Sequence, residues 1–568
     1  MSSLLSSKSS CKTSQGTLGV DIRQAPSTLK LVLFNGTLHY CLMAFSLAIM
    51  LSIVYQNQVF YLMGFSKVKP LMGRSWVSAN SEAKTYSIES TGVAEDMLPG
   101  ESWIWEKDTG SCLSRFQSLL YRKISHQKIS PYLLNKIRDY EEHHKRCAPY
   151  TEMYNRTIKE LESGIVSEPT GCHYVVWTAL EGLGNRILSM ASAFLYAVIT
   201  DRVFLVEFEA DMIDLFCEPF PNTSWLLPAD FPLKNQFKLL DQMFPHSYGN
   251  MMKTNTIKTM MELSPLSMYL YLAHDADDHD TLFFCQEHQA FLGNIPWLII
   301  KSDQYFTPSL FLIPSFDPKL NKMFPNKEIV FHNLAHYLFQ PSNRAWGLIT
   351  RFYESYLAKA DKRVGLQIRI FDRKVSPFHV VMDQILACTI KEKKILAGVN
   401  THELVVPPSI NLTTKAVVVT SLYSEYYEHI KNLYWMAPTV NGEVVGVYQP
   451  SHEGIQHFGD HMHNMKAWVE MNLLSLCDEL ITSSWSTFGY VSQGLGGLRP
   501  WILVKPENRM TPHPACGRAE SMEPCYHSPP SYECRTGPKV NADLGAIVPH
   551  VNHCEDFNTG LKLFNKDA

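Results

Sequence analysis

Val175–Leu188 reads VVWTALEGLGNRIL. An apolar run, Tyr174–Thr178, meets a turn carrying Gly182 and Gly184, and a helically spaced apolar segment, Asn185–Ile199, follows. Strand, glycine turn and helix make the opening of an α/β unit. At such a turn, backbone N–H groups can approach an anion at the helix N-terminus. The dinucleotide pattern G-x-G-x-x-G fails, because Ile187 stands at its sixth position, and G-x4-G-K-[ST] is missing. The pattern therefore points away from NAD and from ATP in a P-loop, and a plain tight turn is the other reading of Gly182 and Gly184.

The same alternation continues outward. Arg202–Val206 and Trp297–Lys301 (WLIIK) are short apolar runs. A second series is cleaner: Arg363–Phe371, Ala416–Leu422, Glu479–Ser483 and Pro500–Val504 read as strands, and Val380–Cys388, Glu425–Tyr434, Asn464–Cys477 and Thr487–Leu495 as helices. Short apolar strands alternating with helices predict parallel sheets. Two such series make a two-lobed α/β protein with a cleft at the carboxyl ends of its strands.

The chain has 568 residues, 45% hydrophobic and 19% charged, which suits a globular body. A formal charge of −4 gives no general attraction to nucleic acid. No Asp, Glu, Lys or Arg occurs between Leu31 and Ser66, and Leu38–Val54 is apolar almost throughout. Lys8, Lys12, Arg23 and Lys30 precede it. That pattern predicts one uncleaved transmembrane anchor with a cytosolic N-terminus and a lumenal body. Sequons at Asn155, Asn222 and Asn411 agree with a lumenal body, as do eleven cysteines beyond the anchor. Cys516, Cys525, Cys534 and Cys554 crowd the C-terminus without the close pairs of a zinc ribbon, so disulfides are expected there, with connectivity open.

Arg369, in GLQIRIF, shares a strand face with Gln367, opposite Leu366, Ile368 and Ile370. A guanidinium at the end of a buried strand needs a partner. Either a structural carboxylate or a ligand diphosphate answers that need. Thr482–Leu498 (TSSWSTFGYVSQGLGGL) ends a strand in hydroxyl residues and opens a helix that Ser486 or Thr487 can cap, leaving N–H groups for an anion. Asp303, just after WLIIK, is the favoured cleft carboxylate over Glu181 and Glu470. Asp275 and Asp277, in HDADDHD, resemble a metal-binding D-x-D but sit in a polar stretch that reads as a peripheral loop.

From about Cys147 onward the chain resembles the plant xyloglucan fucosyltransferases (galactoside 2-α-L-fucosyltransferases). The resemblance rests on YVVWTALEGLGNRILS, DLFCEPFPNTSWLLPADFPL, DQYFTPSLFLIPSF, VGLQIRIFDRK, KAWVEMNLLSLCDELITSSWSTFGYVSQGLGGLRPWIL and ECRT…VPHVNHCEDF. It implies a type II Golgi membrane protein of GT-B-like fold, with two Rossmann-like lobes after an anchor and stem. The layout is a cytosolic tail (1–30), an anchor (31–55), a stem (56–146), an acceptor-side lobe (147–358), a GDP lobe (359–510) and a Cys-rich segment (511–568). The implied reaction moves L-fucose from GDP-fucose, with inversion and without a metal or other cofactor, to a galactosyl hydroxyl of a glycan such as xyloglucan. An arabinogalactan acceptor and a non-catalytic glycan-binding relative are the alternatives, and a homodimer is one assembly left open. Arg369 matches the diphosphate arginine; Ser486, Thr487, Phe488 and Gly489 match the nucleotide motif. Gly184, Asn185 and Arg186 match the donor-side loop, and Asp303 matches a base or acceptor anchor.

Overall fold

A computed structural model describes residues 112–565, apart from 123–127, 167–169, 258–264, 403–404, 406–412 and 531–547. The expected tail and anchor, the first part of the stem, Asn411 and Cys534 lie outside the described residues. Among the described residues, no helix is long and apolar enough to cross a membrane.

Two sheets organise the chain. In the first, β1 (Tyr174–Thr178), β2 (Val203–Glu207), β3 (Ser267–Tyr271) and β4 (Trp297–Lys301) lie in the order β2-β1-β4-β3, all parallel. Tyr174 through Trp177 are fully buried, as a parallel strand covered on both faces requires. Thr178 pairs with Lys301, so the Gly182 turn after β1 and Asp303 after β4 emerge side by side. The helix after β1 runs Leu183–Ile199, with Gly182 as its N-cap. Gly184 therefore belongs to its first turn and not to a preceding loop.

The second sheet holds β5 (Lys362–Ile368), β6 (Thr414–Ser421), β7 (Val444–Tyr448), β8 (Glu479–Ser483), β9 (Trp501–Leu503) and β10 (Cys516–Arg518). Their order is β10-β9-β8-β5-β6-β7, parallel except for β10 against β9. Val364, Leu366 and Ile368 point into one apolar cluster, as the alternation predicts. From central β5 the chain crosses to β6 on one side, and β8 flanks the other; ligands bind at such a topological switch.

The boundary expected at 146 falls inside the packed body. Leu133, Leu134, Ile137 and Tyr140, from the helix Pro131–Cys147, join the main core. Disulfides Cys112–Cys217 and Cys147–Cys172 tie this region to the first lobe. The segment after 511 is not a separate stapled loop either. Cys516 pairs with Cys388 beside the second sheet, and among the described residues Cys525–Cys554 closes within the tail. Glu523 is buried against the first lobe, accepting from the Tyr305 hydroxyl (2.6 Å) and the Phe331 N–H (2.8 Å), and burial pushes its carboxyl up to about 8.

The lobes are closely joined. His332 and His336, on the helix Val330–Leu338, reach the Gly494 and Leu495 carbonyls at 2.8 and 2.9 Å, closing the C-terminal end of the helix Thr487–Gly496. Burial holds His332 down at about 4, so it does this as neutral imidazole. Beside it, Arg499 grips Glu328 at 2.8 and 2.7 Å, and the Glu328 side chain is 2% exposed. Arg499→Ala leaves that carboxylate buried and unpaired. The expected loss is about 3 kcal/mol of stability, read from the urea midpoint. A change under about 1 kcal/mol would mean that water replaces the guanidinium.

Candidate active site

A cleft of about 660 Å³ opens between the carboxyl edges of the two sheets. β5 and β8 deliver its second-lobe wall. Arg369 leaves the end of β5 with its backbone N–H fixed to the Ser483 hydroxyl (3.0 Å). Its guanidinium lines the cleft and stacks 5.3 Å from the Phe371 ring. Among the described residues no carboxylate forms an ion pair with it, so the structural partner that the sequence left open is not there. Burial pulls this guanidinium below its ordinary range, the signature of a cation that lacks its counter-charge.

The helix Thr487–Gly496 begins at the end of β8, capped by Ser486, whose hydroxyl accepts from the Gly489 N–H. Ser486, Thr487 and Phe488 line the cleft with the helix's N-terminal end beside Arg369. Gly489 faces the other way: a Cβ there would stand 3.0 Å from Thr482, so it lets the helix lie on β8. Trp485 just before has φ +62, a strained conformation for a bulky residue. Asp556 holds it there, accepting the Trp485 backbone N–H at 2.9 Å and offering its own carbonyl to the indole N–H. The C-terminal segment thus shapes the cleft, a role with no signal in composition or spacing.

The three residues of the first-lobe turn divide in role. Gly184 and Asn185 line the cleft; Arg186 does not. A Cβ on Gly184 would sit 2.8 Å from the Thr487 hydroxyl and 2.9 Å from the Thr487 carbonyl carbon. The two helix N-termini meet at this glycine. Asn185 bridges the lobes, accepting from the Thr487 hydroxyl (2.9 Å) and donating to the Asp303 carbonyl (3.1 Å). Arg186 is buried, gripping Asp211 at 3.0 and 3.1 Å and Glu209 at 3.1 Å, and donating to the Glu181 carbonyl. Asp211 in turn accepts from Asn464 of the other lobe (2.9 Å). The structure places Arg186, expected on the donor side, off the cleft wall as a brace of the turn and of the lobe contact.

Asp303 lies on the cleft wall with its side chain 3% exposed. Its Oδ1 accepts from the His274 backbone N–H (2.9 Å) and from Gln304 (3.0 Å), and its Oδ2 meets His274 Nδ1 at 2.6 Å. The stretch HDADDHD reaches the cleft at His274, and its aspartates stay in the loop outside the cleft lining, as expected. It leaves β3, the strand beside β4, and brings His274 into the cleft. β3 was not foreseen, and without it nothing marked His274 as a strand-end residue. The aspartates of that stretch brace the loop: Asp277 takes the His279 N–H and Lys253, Asp275 takes the Tyr271 hydroxyl, and Asp280 takes the Asp277 N–H. Among the described residues, no group of three or more His, Cys, Asp or Glu is placed to hold a metal. Glu181 and Glu470 also line the cleft. Glu470 is bound to the Ser451 hydroxyl (2.7 Å), and burial pushes its carboxyl up to about 8. Of the sequons, Asn155 and Asn222 are exposed.

Comparisons with known proteins place the chain in a family. The family model for xyloglucan fucosyltransferase matches residues 78–535. The chain is 56% identical over 476 residues to a galactoside 2-alpha-L-fucosyltransferase of Pisum sativum, covering 84% of this chain and 83% of the relative. It is 51% identical over 529 residues to one of Arabidopsis thaliana, covering 92% and 91%. Among solved structures, a mutant of Arabidopsis thaliana FUT1 in complex with GDP superposes with a TM-score of 0.74 at 55% identity, covering 80% of this chain and 97% of that one. An unpaired cleft arginine beside a capped helix N-terminus, on two parallel sheets, thus comes with a family match over most of the chain: it belongs to the xyloglucan fucosyltransferase family.

Proposed function

We propose that this protein transfers L-fucose from GDP-fucose, with inversion, to a galactosyl hydroxyl of a cell-wall glycan such as xyloglucan, forming an α-1,2 linkage. The reading includes a GT-B architecture with the diphosphate in the second lobe, and a Golgi-anchored chain whose catalytic body is lumenal. One observation carries it: the uncompensated Arg369 guanidinium beside the N-terminus of the helix Thr487–Gly496, in a cleft shared by both lobes. The solved relative in complex with GDP supports a guanosine diphosphate as the anion.

Cleaving the fucose–phosphate bond places negative charge on GDP and positive charge on the sugar. Arg369 and the N–H groups at the capped helix end are fixed before the reaction, where that negative charge develops. Bidentate grip by a guanidinium suits a diphosphate better than a lysine would. With this compensation built from protein groups, transfer is expected to survive chelation.

The test is the full-length chain in detergent with GDP-fucose and separate xyloglucan and arabinogalactan acceptors, each with and without EDTA. A fucosylated xyloglucan product of unchanged yield in EDTA is the expected result. Product on arabinogalactan alone would overturn the acceptor. Loss of product with EDTA would overturn metal independence, and neither product nor GDP release would overturn the donor.

A further inference from the structure

His274 and Asp303 form a unit that the reading above does not use. Asp303 presents no free oxygen face to a substrate: both oxygens are taken by His274 and Gln304, and the side chain is nearly sealed. His274 is the opposite, with its side chain 58% exposed where it lines the cleft. The contact of Nδ1 with the carboxylate fixes the tautomer, because Nδ1 must carry the proton that it donates. Nε2 is then left with a lone pair. The backbone is pinned as well: the His274 N–H goes to Asp303, and its carbonyl accepts from the Ser528 hydroxyl (3.1 Å). A buried carboxylate that orients an exposed imidazole is the arrangement by which proteins build a general base.

We propose that His274, oriented by Asp303, takes the proton from the acceptor hydroxyl as that oxygen attacks the fucose anomeric carbon. This inference rests on the transfer reaction proposed above. The acceptor O–H bond breaks, and its electron pair goes to the new C–O bond. The bond from the anomeric carbon to phosphate breaks, its pair leaving with GDP, which Arg369 receives. The proton passes to Nε2, the resulting imidazolium is balanced by Asp303, and the proton returns to water before the next turnover. Asp303 is a positioning residue in this step.

The charges around His274 set the pH dependence. Partial burial pulls its pKa down, but the Asp303 hydrogen bond and the charges of Asp303, Asp275 and Glu181 raise it above its ordinary value. His527, which burial holds low, shares this wall of the cleft; Tyr271 binds Asp275 beneath it, and Arg369 lies on the second-lobe wall. A base acts only when neutral, so kcat rises with pH through this raised pKa and levels off above it.

The experiment uses the full-length chain with GDP-fucose and xyloglucan. His274→Ala is expected to lower kcat about 100-fold with little change in KM for GDP-fucose, to abolish the ascending limb of the pH profile, and to recover part of its rate with added imidazole. Asp303→Asn is expected to lower kcat and to move the remaining limb to lower pH, since the charge that raises the imidazole is gone. His274→Ala with kcat within threefold of the parent overturns the proposal, as does a lowered kcat with the limb unmoved. If the parent transfers no fucose to any acceptor, the reading of the reaction falls instead. An active parent with an equally active variant sinks only the role of His274.

Discussion

Arg369→Ala should reduce fucosyl transfer by roughly 10³-fold or more while leaving the protein as stable as before. The rate argument is electrostatic. The leaving diphosphate gathers charge in the transition state, and a fixed cation there is worth more than one neutral donor, whose removal already costs about 10²–10³. The stability argument is that the guanidinium brings the fold no ion pair among the described residues and is held below its ordinary range by burial, so folding strains this charge. Its backbone N–H, bonded to Ser483, survives the substitution. Arg369→Lys should recover little, because a point charge on a flexible stem cannot reproduce the planar fork. The check is kcat, GDP affinity and Tm together. Turnover within tenfold of the parent at unchanged Tm would place the diphosphate elsewhere.

Gly184→Val is the second large effect, expected at roughly 10²–10³-fold in kcat. The glycine is needed for close approach and not for an unusual backbone angle. A Cβ would meet the Thr487 carbonyl carbon at 2.9 Å and the Phe488 nitrogen at 3.0 Å. These are backbone atoms of the helix that forms the anion site, and they cannot rotate away. Valine must therefore push the two helix starts apart by about an ångström, enough for a loss of that order. The Asn185–Thr487 bond would break with them. A variant with near-parental kcat and GDP affinity would show that the lobes can shift without cost to the site.

Much of this was legible in the sequence. The short apolar runs of β1 and β4 marked parallel strands, and the alternation in GLQIRIF placed Gln367 and Arg369 together on the cleft side. Ser486 announced the helix start as its cap. What failed to show has physical causes. The helix Pro131–Cys147 is polar on average, and only its stripe of Leu133, Leu134, Ile137, Tyr140, His144 and Cys147 is buried, so it read as stem. SMYLY alone does not distinguish a strand, and with β3 missed, His274 had no address. Arg186 turned inward to Asp211, across a span of sequence that no local pattern encodes. The cysteine partners are set by where the chain returns, which is why Cys516 finds Cys388 and not its neighbours.

The junction at Gly184, Asn185 and Thr487, with the imidazole caps on Gly494 and Leu495, has a consequence for turnover. Contacts between the lobes at both ends of one helix oppose a closure around each donor molecule. The entropy loss of bringing the two walls together is incurred once, during folding, and does not recur with every binding event. Such a vessel meets its substrates ready-made, and spent nucleotide must escape through an open mouth, at a rate set by the grip of its own contacts and not by the swing of a hinge.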